Sequence, residues 1–223
     1  MQLIKAKRIV LLLAIIAPLV FFLSVTIFSF SIYDYNLIDG YISFLGSSAS
    51  PFRVFMNVFG FGLFGVVVTG LGYVLSQSLK KNSLATFACQ LFAFIGLLLV
   101  LLAFLPTDPS WDATTFAGQA HSIIGNLAFI LMPISIIFFG TAFRNEEDWS
   151  KTWPIISYSL AGVTLIASFF LKFVGIFNGL FERVGLGADL LWVMLVSFNL
   201  LFLNQRERLK KFVKKLETIY RNI

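Results

Sequence analysis

The chain has 223 residues, of which 58% are hydrophobic and 13% are charged, and its formal net charge is +6. Soluble domains are nearer roughly 45–50% apolar and about 25% charged, and disordered chains are poorer still in apolar residues, so both classes are excluded. With 27 Phe residues and a mean hydropathy of +0.89, the composition is that of an integral membrane protein. It does not indicate what the protein does.

Six apolar segments follow one another along the chain, each bounded by charged residues, Pro or Asn and each long enough for a transmembrane helix. Barrel strands would alternate polar and apolar residues, and these segments do not. We therefore predict an all-α bundle of six transmembrane helices within residues 1–204, in which only the last helix is short. The predicted helices are 9–32, 54–76, 84–105, 119–142, 154–177 and 187–204.

The basic residues predict how the helices are oriented. Of the 17 Lys and Arg residues, 14 lie on the side of the two termini and three, Arg53, Lys172 and Arg183, lie on the other side. Because cytoplasmic loops are enriched in Lys and Arg, both termini are predicted to be cytoplasmic in a multi-pass protein of the cell membrane. Topology accounts for the net charge, so nucleic acid is not an expected partner.

The second segment contains Gly60-Phe61-Gly62-Leu63-Phe64-Gly65, which matches the dinucleotide-binding pattern GxGxxG letter for letter. That motif follows a strand and opens a helix, whereas this sequence lies inside an apolar span. We interpret the glycines as helix-packing residues. Cys89 is the only cysteine, so no intrachain disulfide can form, and no cofactor is expected.

Polar residues are concentrated in the three loops predicted on the outer side. Asp108 lies in the stiff turn after the third helix and could orient His121 as a general base. Ser43 would then complete a nucleophilic triad, although no nucleophile-elbow motif is present. No metal site is expected, because zinc sites recruit several His or Cys ligands, but a hard cation on Asp108, Asp112 or Glu182 is an alternative.

A second group of outer residues suits ligand binding. Lys172 lies several residues inside the predicted fifth helix, and ionisable groups at membrane depth tend to be paired and functional. Mixed cations and carboxylates beside an apolar wall suit the headgroup of a lipid or another amphiphile, with a cation meeting phosphate. The predicted ligand-binding residues are Arg53, Lys172, Glu182 and Arg183. The alternative is a structural set of salt bridges.

The tail at residues 205–223 is predicted to be a basic amphipathic helix. Its apolar residues recur at spacings of three and four, while Lys210, Lys211, Lys214 and Lys215 fall largely on the other face. Such a helix can lie on anionic lipid or bind a cytoplasmic partner, and it can also serve only as a charge anchor that fixes topology.

Short motifs in the loops resemble those of the family catalogued as domain of unknown function 998. The resemblance implies six spans with recurrent polar residues on the outer side, but it implies no substrate. The motifs are Ser43-Phe44-Leu45-Gly46 with Pro51, Pro106-Thr107-Asp108, Gly118-Gln119-Ala120-His121, Arg144, and Gly179-Leu180-Phe181-Glu182-Arg183.

Three functions are compatible with these patterns. The first is the binding or sensing of a lipid or another amphiphile in an outer-leaflet polar pocket. The second is a membrane-embedded lipid hydrolase or transferase that uses His121 and Asp108. The third is a structural or assembly role in which the outer cluster holds the loops together. The sequence does not decide among them, nor does it settle whether the protein is an enzyme.

Overall fold

The computed structural model describes residues 2–109 and 113–221, without the side chains of residues 2–4 and most of those after Arg206. Asp112 and the side chains of the predicted amphipathic tail face therefore lie outside the described residues. The described chain contains helices and no strands, and six of its helices are long and apolar enough to cross a membrane. The predicted all-α architecture of six transmembrane helices is thus confirmed.

The helices alternate in direction, so both termini lie at one end of the bundle, which we call the terminal end. The opposite end, which we call the distal end, carries the loops at residues 32–52, 103–115 and 175–177. The helices are α1 (Gln2–Ser31), α2 (Arg53–Ser76), α3 (Ser83–Leu102), α4 (Phe116–Phe143), α5 (Thr152–Val174) and α6 (Asn178–Arg221).

The prediction for the last helix was wrong, because α6 begins at Asn178 rather than residue 187 and is the longest of the six. Left-handed backbone conformations at Gly175 and Phe177 end α5 and turn the chain directly into α6. Glu182 and Arg183 therefore lie on a transmembrane helix and not in a loop, and Asp189 lies about three turns into that helix instead of at its start. The helix also continues through residue 205 without a break.

The six helices form a closed ring. Each packs against the next along the chain, and α1 completes the ring by packing against both α2 and α6. The glycines of α2 serve helix packing, as predicted: a Cβ atom at Gly65 would lie 2.6 Å from the carbonyl oxygen of Gly96 on α3.

Aromatic side chains fill the ring from its middle to its terminal end. The indole of Trp192 on α6 is fully buried and lies within 5.6 Å of the Phe92 ring and 5.4 Å of the Phe139 ring. Phe143 continues the cluster and stacks on Trp149 at 3.8 Å. This aromatic cluster fills the bundle only from its middle to its terminal end. The distal half of the bundle is therefore left with open space at its centre.

Candidate ligand cavity

A cavity of about 730 Å³ lies in the distal half of the ring. This volume is in the range of pockets that hold small-molecule ligands, roughly 300–1,000 Å³. All six helices and the first distal loop contribute to its wall. Its apolar side chains include Phe21, Phe61, Phe64 and Phe129, and its polar side chains include Ser43, Asp108, His121, Lys172, Glu182 and Asp189.

His121 lies on the second turn of α4 and is only 5% exposed. Its Nδ1 is 2.5 Å from the carbonyl oxygen of Leu105, and its ring meets Phe61 edge to face with centroids 5.8 Å apart. Since a carbonyl oxygen can only accept, Nδ1 carries the proton and the neutral ring has its lone pair on Nε2. No hydrogen-bond partner of Nε2 is found among the described residues.

Asp108 holds Thr114 and Thr115, the two residues that precede α4. The main-chain N–H groups of Thr114 and Thr115 donate to its Oδ2 at 2.7 and 2.8 Å, and the Thr115 hydroxyl donates to Oδ1 at 2.6 Å. These hydrogen bonds, with those of Thr115 the strongest, lower the pKa of Asp108. The carboxylate lies directly against Gly118, where any larger side chain would collide with it.

The orienting partner predicted for His121 is therefore different in the structure. Asp108 is hydrogen-bonded to Thr114 and Thr115, and the carbonyl of Leu105 holds the imidazole instead. Both side chains nevertheless line the same cavity, together with Ser43 of the first distal loop. Sequence spacing gave no signal for the Leu105 contact, because it comes from a main-chain group.

Arg183 fastens the first distal loop and α1 to α6. Its Nη1 donates to the carbonyl oxygens of Gly40 and Gly179, both at 2.8 Å. Its Nη2 donates to the Ser29 hydroxyl at 3.0 Å and to the Tyr35 hydroxyl at 2.7 Å. The guanidinium also lies 5.5 Å from the centre of the Tyr35 ring. Its donors are thus committed to protein oxygens.

Tyr35 extends this connection into the loop. Its hydroxyl lies 2.8 Å from the carbonyl oxygens of both Gly40 and Tyr41, to one of which it donates while accepting from Arg183. Burial raises the pKa of Tyr35, with the nearby guanidinium opposing that effect. The phenol therefore remains a protonated donor at neutral pH, and the loop is fixed over the cavity.

Two carboxyl groups on α6 face the cavity at different depths. Glu182 Oε2 accepts from the main-chain N–H of Ile42 at 2.5 Å. Asp189, seven residues further along the helix, is 3% exposed and accepts from the Thr164 hydroxyl at 2.8 Å. With Leu186 between them, the spacing places all three residues on one helix face, and all three line the cavity.

The structure separates the four predicted ligand-binding residues. Lys172 and Glu182 line the cavity, whereas Arg53 is exposed at the start of α2 and does not, and Arg183 is held by protein oxygens. Among the described residues, no group of three His, Cys, Asp or Glu side chains is arranged to hold a metal ion.

Sequence reasoning placed Asp189 near the start of the predicted helix 187–204, beside the third outer loop, and did not include it among the site residues, so it missed the position of Asp189 deep in the cavity. The available signal was the spacing of residues 182, 186 and 189 on one helix face.

A family model described as "Protein of unknown function (DUF998)" matches residues 15–199, which is most of the chain. No curated protein and no solved structure matches the chain. The family match spans the cavity, since every described residue of its wall, from Phe21 to Asp189, lies within the matched range. It also confirms the resemblance inferred from the loop motifs. The chain belongs to the DUF998 family of membrane proteins.

Proposed function

We propose that this membrane protein binds an amphiphile, either a membrane lipid or a similar molecule, in the distal cavity. The observation that carries the proposal is the cavity itself: about 730 Å³ of open space inside a closed ring of six helices. Cores of helical bundles are normally close-packed, so a space of this size favours a binding role over a purely structural one.

The distribution of side chains in the cavity supports an amphiphilic ligand. Phe21, Phe61 and Phe64 supply apolar surface from α1 and α2, suited to a hydrocarbon chain. Ser43, Lys172 and Asp189 supply polar groups at different depths of the same cavity, suited to a polar headgroup. If both termini are cytoplasmic, as the basic residues predict, the distal end of the cavity lies at the level of the outer leaflet.

A cavity-filling substitution tests the proposal. Gly125 lines the cavity, and a Cβ atom placed there meets no other atom within 4 Å, so Gly125→Leu fills the binding space without a clash at Cβ. Gly162 on α5 is equally open but is not part of the cavity wall, so Gly162→Leu is the matched control. The measurement is native mass spectrometry of the gently purified protein with analysis of bound lipids.

We expect a stoichiometric amphiphile on the wild type and on Gly162→Leu, and its loss from Gly125→Leu. The same loosely held lipids on all three proteins would contradict the proposal.

A second candidate, a lipid hydrolase or transferase, is favoured by His121. Its Nε2 has a lone pair and no protein partner among the described residues, and Ser43 lines the same cavity. In such a reaction Nε2 would accept a proton from Ser43 or from water. Turnover of the bound lipid by the wild type but not by His121→Gln would support this role. Asp108→Asn should retain turnover, because Asp108 is hydrogen-bonded to Thr114 and Thr115 and does not hold the imidazole.

A further inference from the structure

The charge of the cavity differs from the phosphate-binding site that the sequence suggested. Four of its described wall residues carry carboxyl groups, and Lys172 is the one Lys or Arg among them. Arg183 directs its guanidinium to Ser29, Tyr35 and main-chain oxygens instead. The described wall is therefore acidic overall. The four carboxyl residues are Asp39, Asp108, Glu182 and Asp189.

Asp189 is the carboxyl group that most needs a partner. It lies about three turns into α6 and is 97% buried, since only 3% of it is exposed. Thr164 donates to Oδ1, but within the described part of the chain no donor and no Lys or Arg pairs with Oδ2. A buried carboxylate in a membrane is costly unless a cation or further donors satisfy it.

Glu182 provides a second carboxyl group nearer the distal loops. Its Oε2 accepts from Ile42, and no ion pair of Glu182 is found among the described residues. Seven helical residues correspond to a rise of about 10.5 Å, so Glu182 and Asp189 mark two depths of one cavity. The rings of Phe61, Phe64 and Phe129 also line it, and aromatic faces attract ammonium groups.

We propose that the ligand is an amphiphile whose protonated amine or quaternary ammonium group pairs with Asp189, with Glu182 as a second carboxyl group nearer the distal loops. This inference rests on the proposed function, because it assigns the chemistry of the same cavity. Two sources carry that chemistry: a single-chain amine and a phospholipid with an ethanolamine headgroup. A phosphate pairing with Arg53 or Arg183 is replaced by an ammonium pairing with a buried carboxylate.

Three probes with the same chain and different charge test the inference. Decyltrimethylammonium, decanol and decyl phosphate are titrated below micelle-forming concentrations into wild-type protein in a neutral maltoside detergent, and binding is followed by native mass spectrometry. We expect one bound decyltrimethylammonium, at least about tenfold tighter than decyl phosphate. Nanodiscs containing phosphatidylethanolamine and phosphatidylglycerol distinguish the two sources: a retained ethanolamine lipid identifies a phospholipid, and its absence alongside probe binding identifies a single-chain amine.

Asp189→Asn isolates the charge, because the amide oxygen can still accept from Thr164. We expect this variant to bind decyltrimethylammonium at least about tenfold more weakly while its affinity for decanol is unchanged. Asp34→Asn is the matched control, since Asp34 lies outside the cavity wall and its left-handed backbone conformation suits Asn as well as Asp.

The possible results separate this inference from the proposed function. If all three probes bind equally and Gly125→Leu abolishes their binding, the preference for an ammonium group is overturned. The proposed amphiphile site then remains. Preference for decyl phosphate would likewise overturn the preference for an ammonium group. If Gly125→Leu changes the binding of neither the probes nor any lipid, both proposals are overturned. The probe comparison on the wild type decides the charge preference even if Asp189→Asn fails to fold.

Discussion

Replacing Arg183 should detach the first distal loop from α6 and weaken the closure of the ring. In the structure one guanidinium joins three parts of the chain: Ser29 at the end of α1, Gly40 in the loop and Gly179 at the start of α6. Arg183→Ala removes all of these contacts at once, including the guanidinium donor to the carbonyl oxygens of Gly40 and Gly179. Arg183→Lys keeps the charge but cannot present two nitrogens in a fixed planar fork.

The magnitude follows from the four hydrogen bonds. Hydrogen bonds to charged groups contribute about 1.5–3 kcal/mol each, but deletions within one network are not additive and the side chain is only half-buried. We therefore expect Arg183→Ala to lower the free energy of unfolding by about 3–5 kcal/mol, which is less than the sum of the four hydrogen bonds. Arg183→Lys should cost about 1–3 kcal/mol, because one nitrogen can retain part of the network.

Unfolding in mixed micelles of increasing dodecyl sulfate content gives these free energies. Hydrogen exchange measured on the same variants should show faster exchange in residues 34–46, which Arg183 and Tyr35 hold. Arg53→Ala is the control: the Arg53 side chain is exposed and has no hydrogen bond or ion pair in the described part of the chain, so its loss should change stability by less than about 0.5 kcal/mol. Equal effects of Arg183→Ala and Arg53→Ala would contradict the role of Arg183 in holding the first distal loop and α1 to α6.

Three further predictions concern the rest of the bundle. Thr115→Ala should lower the free energy of unfolding by about 1 kcal/mol, because its hydroxyl accepts from the Gly118 N–H at the start of α4, as the same micelle titration can measure. Hydrogen bonding lowers the pKa of Asp108 in the folded protein. The stabilisation that the carboxylate provides is therefore present above the pKa of the unfolded state and is lost as pH falls through the folded pKa. Asp108→Asn should accordingly be less stable than the wild type at pH 7, and this difference in the free energy of unfolding should shrink below about pH 4. Gly65→Leu should lower the free energy of unfolding by at least about 1–3 kcal/mol, because a side chain at Gly65 would meet the backbone of α3. Gly162→Leu should be near neutral, because a Cβ atom at Gly162 meets no other atom within 4 Å.

The sequence was sufficient to predict the number and kind of helices. Apolar length decides whether a segment crosses a membrane, and that property is local, so segments near 54–76 and 84–105 were located to within a few residues. The start of α6 was misplaced for the same reason: Glu182 and Arg183 dilute the apolar character of residues 178–186, which precede the predicted start at residue 187. Glu182 and Arg183 are hydrogen-bonded to the first distal loop and to α1, and sequence hydropathy does not report such contacts between elements.

The candidate site could be predicted only in part, because residue type does not determine which hydrogen-bond partner a side chain finds. His121, Ser43, Lys172 and Glu182 were identified from polarity near the distal loops, and the structure places all four in the cavity wall. The Asp108–His121 pairing was inferred from the same polarity, but main-chain groups of the turn supply both partners instead. Such contacts depend on backbone geometry and leave no trace in residue spacing.

The neighbouring residues Glu182 and Arg183 show how the helix divides its charges. About 100° separates successive side chains on a helix, so one of the pair faces the cavity while the other faces α1 and the first distal loop. Arg183 closes the seam between α1 and α6 with contacts to Ser29 and Gly40, which removes a cation from the cavity wall. Glu182 and Asp189 are then left facing the open space. The arrangement that holds the ring closed thus makes the cavity acidic and favours an ammonium group over phosphate as the ligand's charged end.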